Sequence, residues 1–453
     1  MAKYFGTDGF RGESNVSLTA DHAYKIGRFL GWYLKKKHDE AGEMFPAKVV
    51  IGKDTRRSGY MLEYSLAGGL TASGCDAYLL HVTTTPCVSF ITRVDEFDCG
   101  IMISASHNPY YDNGIKLFNS LGEKMSEEVT DLIEEYLDSN NMTLPFARRD
   151  KIGKTVDFVS GRNRYIGYLI SLGIYSFKGM RIGLDCANGS AWNIAKSVFE
   201  ALGAAVYLIG SAPNGTNINY MVGSTHMDAI SDFVREKRLD VGFSFDGDAD
   251  RCLCVDENGN VVDGDKILYI AARYLKEKDL LEGNTVVSTV MANMGLIKAL
   301  EKENINVIKT QVGDRFVYEE IKKGGYKLGG EQSGHIIFSS YATTGDGILT
   351  SLKVMEMMLY KKAKLSELVS SFKSYPQTLI NVQVQNKEKI MSSDKVKTAA
   401  VEAENQLVGK GRVLLRASGT ENIIRVMVEA ESEELCKDTA ERLADVVRIQ
   451  SNM

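Results

Sequence analysis

The run Val241-Gly242-Phe243-Ser244-Phe245-Asp246-Gly247-Asp248-Ala249-Asp250-Arg251 joins five uncharged residues to an acidic loop. A short apolar run without strict alternation reads as a strand covered on both faces, the habit of parallel sheets. Open α/β sheets bind ligands beyond the carboxyl ends of such strands, which is where this stretch places its three aspartates. Similar runs, several ending in Gly, Asp or Ser, occur at Ala47–Ile51, Ala77–Val82, Gly100–Ser104, Arg181–Asp185, Val206–Ile209, Thr285–Val290, Val307–Gln311 and Ile336–Phe338. Amphipathic stretches of helical period separate them at Ala23–Lys36, Glu127–Leu137 and Asp314–Lys323. The alternation predicts an α/β fold with parallel strands.

Beyond about residue 368 the pattern changes. Leu379–Val384, Arg412–Arg416 and Ile423–Glu429 read as strands and Glu433–Ile449 as a closing helix, a smaller α+β unit. With 453 residues the chain is too long for one core, and domains of about 100–150 residues divide it into three or four. The expected boundaries lie near residues 155, 255 and 368: 1–155 around Ser106, 156–255 around the aspartates, 256–368 around a polar loop at Glu331, and 369–453. The first three read as weak repeats of one design, without residue-level self-similarity.

Composition is that of a soluble globular protein, 44 % hydrophobic and 25 % charged, and the net charge of -5 argues against a nucleic-acid partner. The start, Met1-Ala2-Lys3-Tyr4-Phe5-Gly6, has no apolar signal region, and no run reaches the length of a membrane span. The seven cysteines form no Cys-x-x-Cys pair and have mostly apolar flanks. Together these features predict a cytoplasmic protein with no membrane partner.

Asp246, Asp248 and Asp250 repel one another in a partly dry site, and a hard divalent cation removes that repulsion. An EF-hand is excluded, since Arg251 stands where that loop needs glycine. In Ser104-Ala105-Ser106-His107-Asn108-Pro109, Pro109 stiffens the chain after a strand, so Ser106 is expected in an exposed turn, able to accept and return a group. A turn serine bonded to its own backbone is the plain alternative, and Ser104 is a second hydroxyl in the same segment. Gly329-Gly330-Glu331-Gln332-Ser333-Gly334-His335 offers Glu331 and Ser333 to sugar hydroxyls, and a histidine that titrates near neutrality. Arg416-Ala417-Ser418-Gly419-Thr420-Glu421-Asn422, with Arg425, has the donors of a phosphate cradle. Gly6–Gly12 with Arg11, and Gly52–Ser58 with Arg56 and Arg57, fit a phosphorylated ligand or a solvated turn equally well. Lys116 reads as a phosphate neutraliser, a general acid or a surface lysine.

Taken in order, Gly6–Gly12, Ser104–Pro109, Asp246–Arg251, Gly330–His335 and Arg416–Arg425 resemble the α-D-phosphohexomutase superfamily over the whole chain. Ile103–Lys116, Gly223-Ser224-Thr225-His226 and Gln332 are most similar to its phosphoglucosamine mutase branch. The resemblance implies three similar α/β domains plus a C-terminal domain around a central active-site cleft. It implies interconversion of glucosamine 6-phosphate and glucosamine 1-phosphate through a phosphoserine and a bisphosphate intermediate, in the supply of amino-sugar nucleotides and cell-wall precursors. Carried over by position, Ser106 is the phosphoserine and binds Mg²⁺ with Asp246, Asp248 and Asp250. Arg11, Lys116 and His335 line the reaction centre. Glu331, Ser333, Arg251 and His107 contact substrate, and Arg416, Ser418, Gly419, Thr420 and Arg425 hold the non-reacting phosphate. A hexose or hexosamine 1,6-bisphosphate is the expected activator, and the chain is expected as a monomer or homodimer. Ala417 and Asn422 depart from the family's usual prolines, which loosens the phosphate loop. A phosphoglucomutase or phosphomannomutase of the same superfamily is the enzymatic alternative, and a non-catalytic sugar-phosphate sensor the alternative from another class.

Overall fold

A computed structural model of the protein describes residues 3–6, 8–139, 143–418 and 422–451. They form two compact units, residues 1–291 with 305–370 and residues 292–304 with 371–453.

The larger unit contains three sheets. The first is built from β1 (Phe5–Gly6), β2 (Gly9–Glu13), β3 (Lys48–Lys53), β4 (Asp76–Val82), β5 (Cys99–Ile103), β6 (Asp112–Asn119) and β7 (Thr155–Asp157), in the order β1-β2-β6-β5-β3-β4-β7. The second has β8 (Arg181–Asp185), β9 (Ala205–Ile209), β10 (Val241–Phe245), β11 (Cys252–Val255) and β12 (Val261–Val262), in the order β12-β11-β10-β8-β9. The third has β13 (Thr285–Thr289), β14 (Asn306–Thr310), β15 (Leu328–Gly330) and β16 (Ile336–Phe338), in the order β14-β13-β15-β16.

The α/β class holds, but none of the three sheets is purely parallel. Strands β3, β4, β5 and β7 run parallel, whereas β6 runs antiparallel to both β5 and β2. Likewise β10 is parallel to β8 and antiparallel to β11, and β15 is parallel to β13 and antiparallel to β16. Each sheet therefore repeats one device: a parallel strand, a polar loop at its carboxyl end, and an antiparallel return. The registers that close the three loops are Ile103↔Ile115, Phe245↔Cys252 and Gly330↔Ile336. The return β16 stands at the bounds expected, Ile336–Phe338, whereas β6 escapes a search for apolar runs because it carries Asp112, Asn113, Lys116 and Asn119, and β11 because it is four residues long.

Helices form where polar caps precede apolar periodicity. Thr19 accepts from the His22 backbone in a capping box that opens Ala20–Ala41, and Asp346 caps Gly347–Lys361 by accepting from Leu349. Ile26, Leu30, Leu62, Leu66 and Leu70 from Ala20–Ala41 and Ser58–Ala72 are fully buried with Val49, Ile51 and Ile101 of the first sheet. Burial of each such side chain stabilises the fold by about 1.5–3 kcal/mol. All seven cysteines are free and buried. Among the described residues no helix is long and apolar enough to cross a membrane.

The smaller unit carries the antiparallel sheet β17 (Gln377–Gln383), β18 (Gly411–Ala417) and β19 (Ile423–Ala430), in the order β17-β19-β18. Ile424, Val426 and Val428 alternate inward against Ala440, Leu443 and Val447 of helix Glu433–Ser451. Helix Met294–Lys302 belongs to this unit, held by the Met294 amide donating to Glu429 Oε2 at 3.0 Å.

Candidate active site

The three returning loops of the larger unit meet. Ser106 takes the left-handed conformation, φ 53°, and is 1 % exposed, so it sits in a buried turn rather than the exposed one expected. Such a conformation is costly for a residue with a side chain and persists only where the surroundings fix it. The fixing contacts are visible. Asp54 and Arg56, both fully buried, pair at 2.8 Å, and Asp54 accepts from Ser104 Oγ at 2.7 Å. Ser104 Oγ in turn accepts the Ser106 amide at 2.9 Å. Arg56 donates to the Ser106 and Asn108 carbonyls, each at 2.9 Å, and Asn219 donates to the same two at 2.8 and 3.0 Å. Ser104 and Arg56 are thus committed internally: Ser104 supports Ser106 from below, and Arg56 clamps the turn instead of facing a ligand or solvent.

The clamp aims Ser106 Oγ at Asp246 Oδ2, to which it donates at 2.5 Å. Asp246, Asp248 and Asp250 are buried, and one carboxylate oxygen from each lies within 4.8 Å of the others. Gly247 is required here, because a Cβ would stand 2.6 Å from the Ser106 carbonyl. Burial, then the charges of Asp250 and Asp248, hold the Asp246 carboxyl well above the usual carboxylate range. Burial alone would push Asp250 up as well, but Lys116, followed by His335 and Arg251, outweighs it and brings it down to about 2.

Lys116 Nζ contacts Asp248 Oδ2 at 2.8 Å, Asp250 Oδ2 at 3.1 Å and Asp8 Oδ2 at 3.2 Å. Burial opposes its charge, yet these carboxylates hold its pKa well above the ordinary lysine value. Arg11 donates to Asp8. Lys124 joins Asp8 Oδ1 at 2.9 Å to Asp314 Oδ1 at 2.7 Å, and Asp314 Oδ2 lies 3.3 Å from His335 Nε2. The Gly345 amide donates to the same nitrogen at 3.2 Å, while His335 Nδ1 is buried without a hydrogen-bond partner among the described residues. An unbroken ionic chain therefore runs from the metal-type triad through Lys116, Asp8, Lys124 and Asp314 to His335.

His107 Nδ1 lies 3.3 Å from Ser106 Oγ and 3.0 Å from Arg251 Nη1. Burial, then Arg251 and Arg11, lowers the imidazole to about 4. Glu331 Oε1 accepts the Gly313 amide at 3.2 Å, and its charge favours the Arg251 guanidinium. Ser333 is exposed on the same loop. A cavity of about 240 Å³ opens beside Lys124, Asp314, His335 and Thr344.

A divalent cation suits this set. Asp248 Oδ1 and Asp250 Oδ1 are buried without hydrogen-bond partners among the described residues, so two hard oxygen donors are left over where three carboxylates converge.

In the smaller unit, Arg416 and Arg425 stand directly opposite each other on β18 and β19. Like charges so placed destabilise a sheet. Burial, then Arg425, lowers the Arg416 pKa. Lys387 donates to the Ser418 carbonyl at 2.7 Å, adding a third cation. Gly419 and Thr420 lie outside the described residues.

Several participants had no distinctive sequence signal. Asp8 sat in a flagged loop credited only for Arg11. Asp314 reads as an ordinary first-turn acid of helix Asp314–Gly324, and Lys124 as a surface lysine. Thr85 donates to Asp248 Oδ2 at 2.6 Å, and its amide to the Asp248 carbonyl at 3.0 Å. Its only hint is a run of three threonines before Pro86.

Four family descriptions match in order: phosphoglucomutase/phosphomannomutase alpha/beta/alpha domain I over residues 2–143, domain II over 163–259, domain III over 263–375, and the C-terminal domain over 379–446. A phosphoglucosamine mutase of Lachnospira eligens is 60 % identical over 448 residues, 99 % of each chain. One of Geobacillus thermodenitrificans is 50 % identical, again over 99 % of each. The crystal structure of a phosphoglucomutase/phosphomannomutase family protein of Burkholderia thailandensis superposes with TM-score 0.81 at 23 % identity, covering 99 % of this chain and 98 % of that one. Its likeness, like that of Aspergillus fumigatus N-acetylphosphoglucosamine mutase in complex with GlcNAc-6P and magnesium (TM-score 0.64, 18 % identity, 100 % and 96 % covered), is one of fold. With all four domains matched and full-length relatives above 30 % identity, the chain belongs to the phosphoglucomutase/phosphomannomutase family, the α-D-phosphohexomutases.

Proposed function

We propose that the chain interconverts glucosamine 6-phosphate and glucosamine 1-phosphate, with Ser106 carrying the phosphate between turnovers. The observation that carries this reading is the 2.5 Å bond from Ser106 Oγ to Asp246, at the centre of three buried carboxylates with unused oxygens. The full-length relatives named phosphoglucosamine mutase support the sugar.

In the forward half-reaction the P–O bond to Ser106 Oγ breaks as a P–O bond forms to the sugar's free hydroxyl, whose proton passes to a nearby base. The resulting bisphosphate then returns its other phosphate to Ser106. Phosphoryl transfer of this kind is governed by positioning and charge. The Asp54–Ser104–Arg56 clamp holds the nucleophile in line. Asp246, Asp248 and Asp250 would hold Mg²⁺ together with a phosphate oxygen on Ser106. When bound, Mg²⁺ offsets the charge of the transferring group. Lys116 enters as an ammonium, fit to stabilise equatorial oxygens and to donate a proton, but not to act first as a base. His335, with Nδ1 unpartnered and Nε2 facing Asp314, is the base candidate. Glu331 and Ser333 orient sugar hydroxyls, Arg251 and His107 flank the reacting phosphate, and Arg416 with Arg425 takes the phosphate that is not reacting.

The test is to replace Ser106 with alanine and to assay both directions with Mg²⁺ and glucose 1,6-bisphosphate present. Loss of turnover is expected, and near wild-type rates refute the reading. Comparing kcat/KM for glucosamine 6-phosphate with those for glucose 6-phosphate and mannose 6-phosphate tests the sugar. A clear preference for a neutral hexose transfers the chain to a sister activity.

A further inference from the structure

A second cavity, of about 450 Å³, lies in the larger unit behind the metal-type loop. No carboxylate lines it, although the protein as a whole is acidic. Two guanidiniums do, Arg57 and Arg162, together with the rings of Tyr60 and Trp192. Arg57 is exposed, and among the described residues its side chain makes no hydrogen bond or ion pair, its amide being tied to the Gly215 carbonyl. Among the described residues Arg162 donates to the Val82 carbonyl at 3.3 Å, and its buried Nε has no hydrogen-bond partner. Tyr60 is 49 % exposed and Trp192 37 %, which leaves both rings partly unpacked.

Two helix starts adjoin the same space, through Arg57 and Tyr60 of one and Ser190, Trp192 and Asn193 of the other. Helix Ser58–Ala72 begins at Arg57 and helix Ala191–Ala201 begins at Ser190, and neither start has a side-chain cap. The first amides of a helix left without an internal partner attract anions. Guanidinium forks match phosphate oxygens, and partly exposed aromatic faces take a planar base by stacking. The volume falls in the range of small-molecule sites. The cavity adjoins the Asp246–Asp250 loop, since Ser190 donates to the Gly247 carbonyl through its amide at 2.8 Å and its Oγ at 3.1 Å.

We propose that this cavity binds a nucleoside phosphate, with phosphate on Arg57, Arg162 and the two helix starts, and the base against Trp192 and Tyr60. It is separate from the sugar-phosphate site and does not depend on the reaction assigned to it.

Trp32 and Trp192 are the two tryptophans of the chain, so Trp32→Phe leaves Trp192 as the sole reporter. In that background the full chain, saturated with Mg²⁺ and glucose 1,6-bisphosphate, is titrated with ADP, UDP or inorganic phosphate. Trp192 fluorescence is followed with correction for nucleotide absorbance. Saturable quenching by at least one nucleotide with Kd below about 1 mM is expected, weakened by about tenfold or more in Arg57→Ala and in Arg162→Ala. A calorimetric titration of Trp192→Leu should show the nucleotide bound no better than phosphate. Absence of binding at about 10 mM overturns the proposal. So does quenching that survives both arginine substitutions, displacement by the bisphosphate, or phosphate binding as tightly as either nucleotide. Arg57 is exposed, so its variant keeps the test open should Arg162→Ala fold poorly.

Discussion

Ser106 Oγ donates to Asp246 Oδ2 at 2.5 Å across 140 positions of sequence, joining the loop that ends β5 to the loop that ends β10. The bond spans two sheets of the same construction. It places a hydroxyl against Asp246, which burial and its neighbours drive toward the protonated form. A cation that supplies positive charge there reverses that drive, which makes the triad's metal affinity the quantity most open to measurement.

Thr85 holds Asp248 through both side chain and backbone. Thr85→Val keeps the shape and removes the hydroxyl. Loss of such an orienting bond is expected to weaken Mg²⁺ affinity by about 10- to 100-fold, with activity recovered at high Mg²⁺. Asp248→Asn should weaken it further, without full recovery. A Mg²⁺ titration of kcat distinguishes the two, and unchanged Mg²⁺ dependence in both variants would count against the triad as the metal site.

Gly345 packs on His335, and a Cβ there would lie 2.6 Å from His335 Nε2 and 2.7 Å from the Asp250 carbonyl. Gly345→Ala must therefore shift the imidazole off Asp314. A displacement on the order of 1 Å costs about 10²-fold in kcat, with KM little changed. Steady-state kinetics beside a normal thermal melt is the check.

Arg416 and Arg425 oppose each other on neighbouring strands. Removing one relieves repulsion in the free protein and, on the function proposed above, takes away a phosphate contact in the complex. Arg416→Gln should stabilise the smaller unit by a few tenths of a kcal/mol. It should also raise KM by about 10- to 100-fold, the worth of a hydrogen bond to a charged group. The KM effect disappears if the pair faces no anion, whereas an unchanged melt would show that the two charges do not strain the sheet.

Asp346 caps helix Gly347–Lys361 and accepts from Tyr165 Oη at 2.7 Å, and burial pushes it up to about 6 from an ordinary 3.8. Its folded pKa is the higher one, so its contribution is present below about pH 4 and is lost as pH climbs through about 6. Asp346→Asn keeps the cap and removes the titration. The difference in stability between wild type and variant should therefore shift against the wild type by about 3 kcal/mol over that window. Melting both proteins across pH 4–7 measures it, and a flat difference would contradict the assignment.

Much of the architecture was legible because the buried strands announce themselves: β10 was read at its observed bounds, and β3, β4, β5 and β8 within two residues at either end. Of the antiparallel returns β16 was, at Ile336–Phe338, but β6 was not, since it alternates polar residues, Lys116 among them, with core residues. The reactive groups stood out where chemistry concentrates them in sequence, as in Asp246-Gly247-Asp248-Ala249-Asp250. Groups that act through one another across loops did not. Asp314 became part of the site only when folding set it between Lys124 and His335. Arg56, whose segment fitted a phosphorylated ligand or a solvated turn equally well, turns its donors inward on Asp54, Asp112 and the carbonyls of the Ser106–Pro109 turn.

The most direct test of the central claim is intact-protein mass spectrometry with peptide mapping of the chain after incubation with Mg²⁺ and glucose 1,6-bisphosphate. The added mass of one phosphate, mapped to Ser106 and absent from Ser106→Ala, is the predicted result. A fully active protein that carries no phosphate, or carries it at Ser104 in place of Ser106, would contradict it.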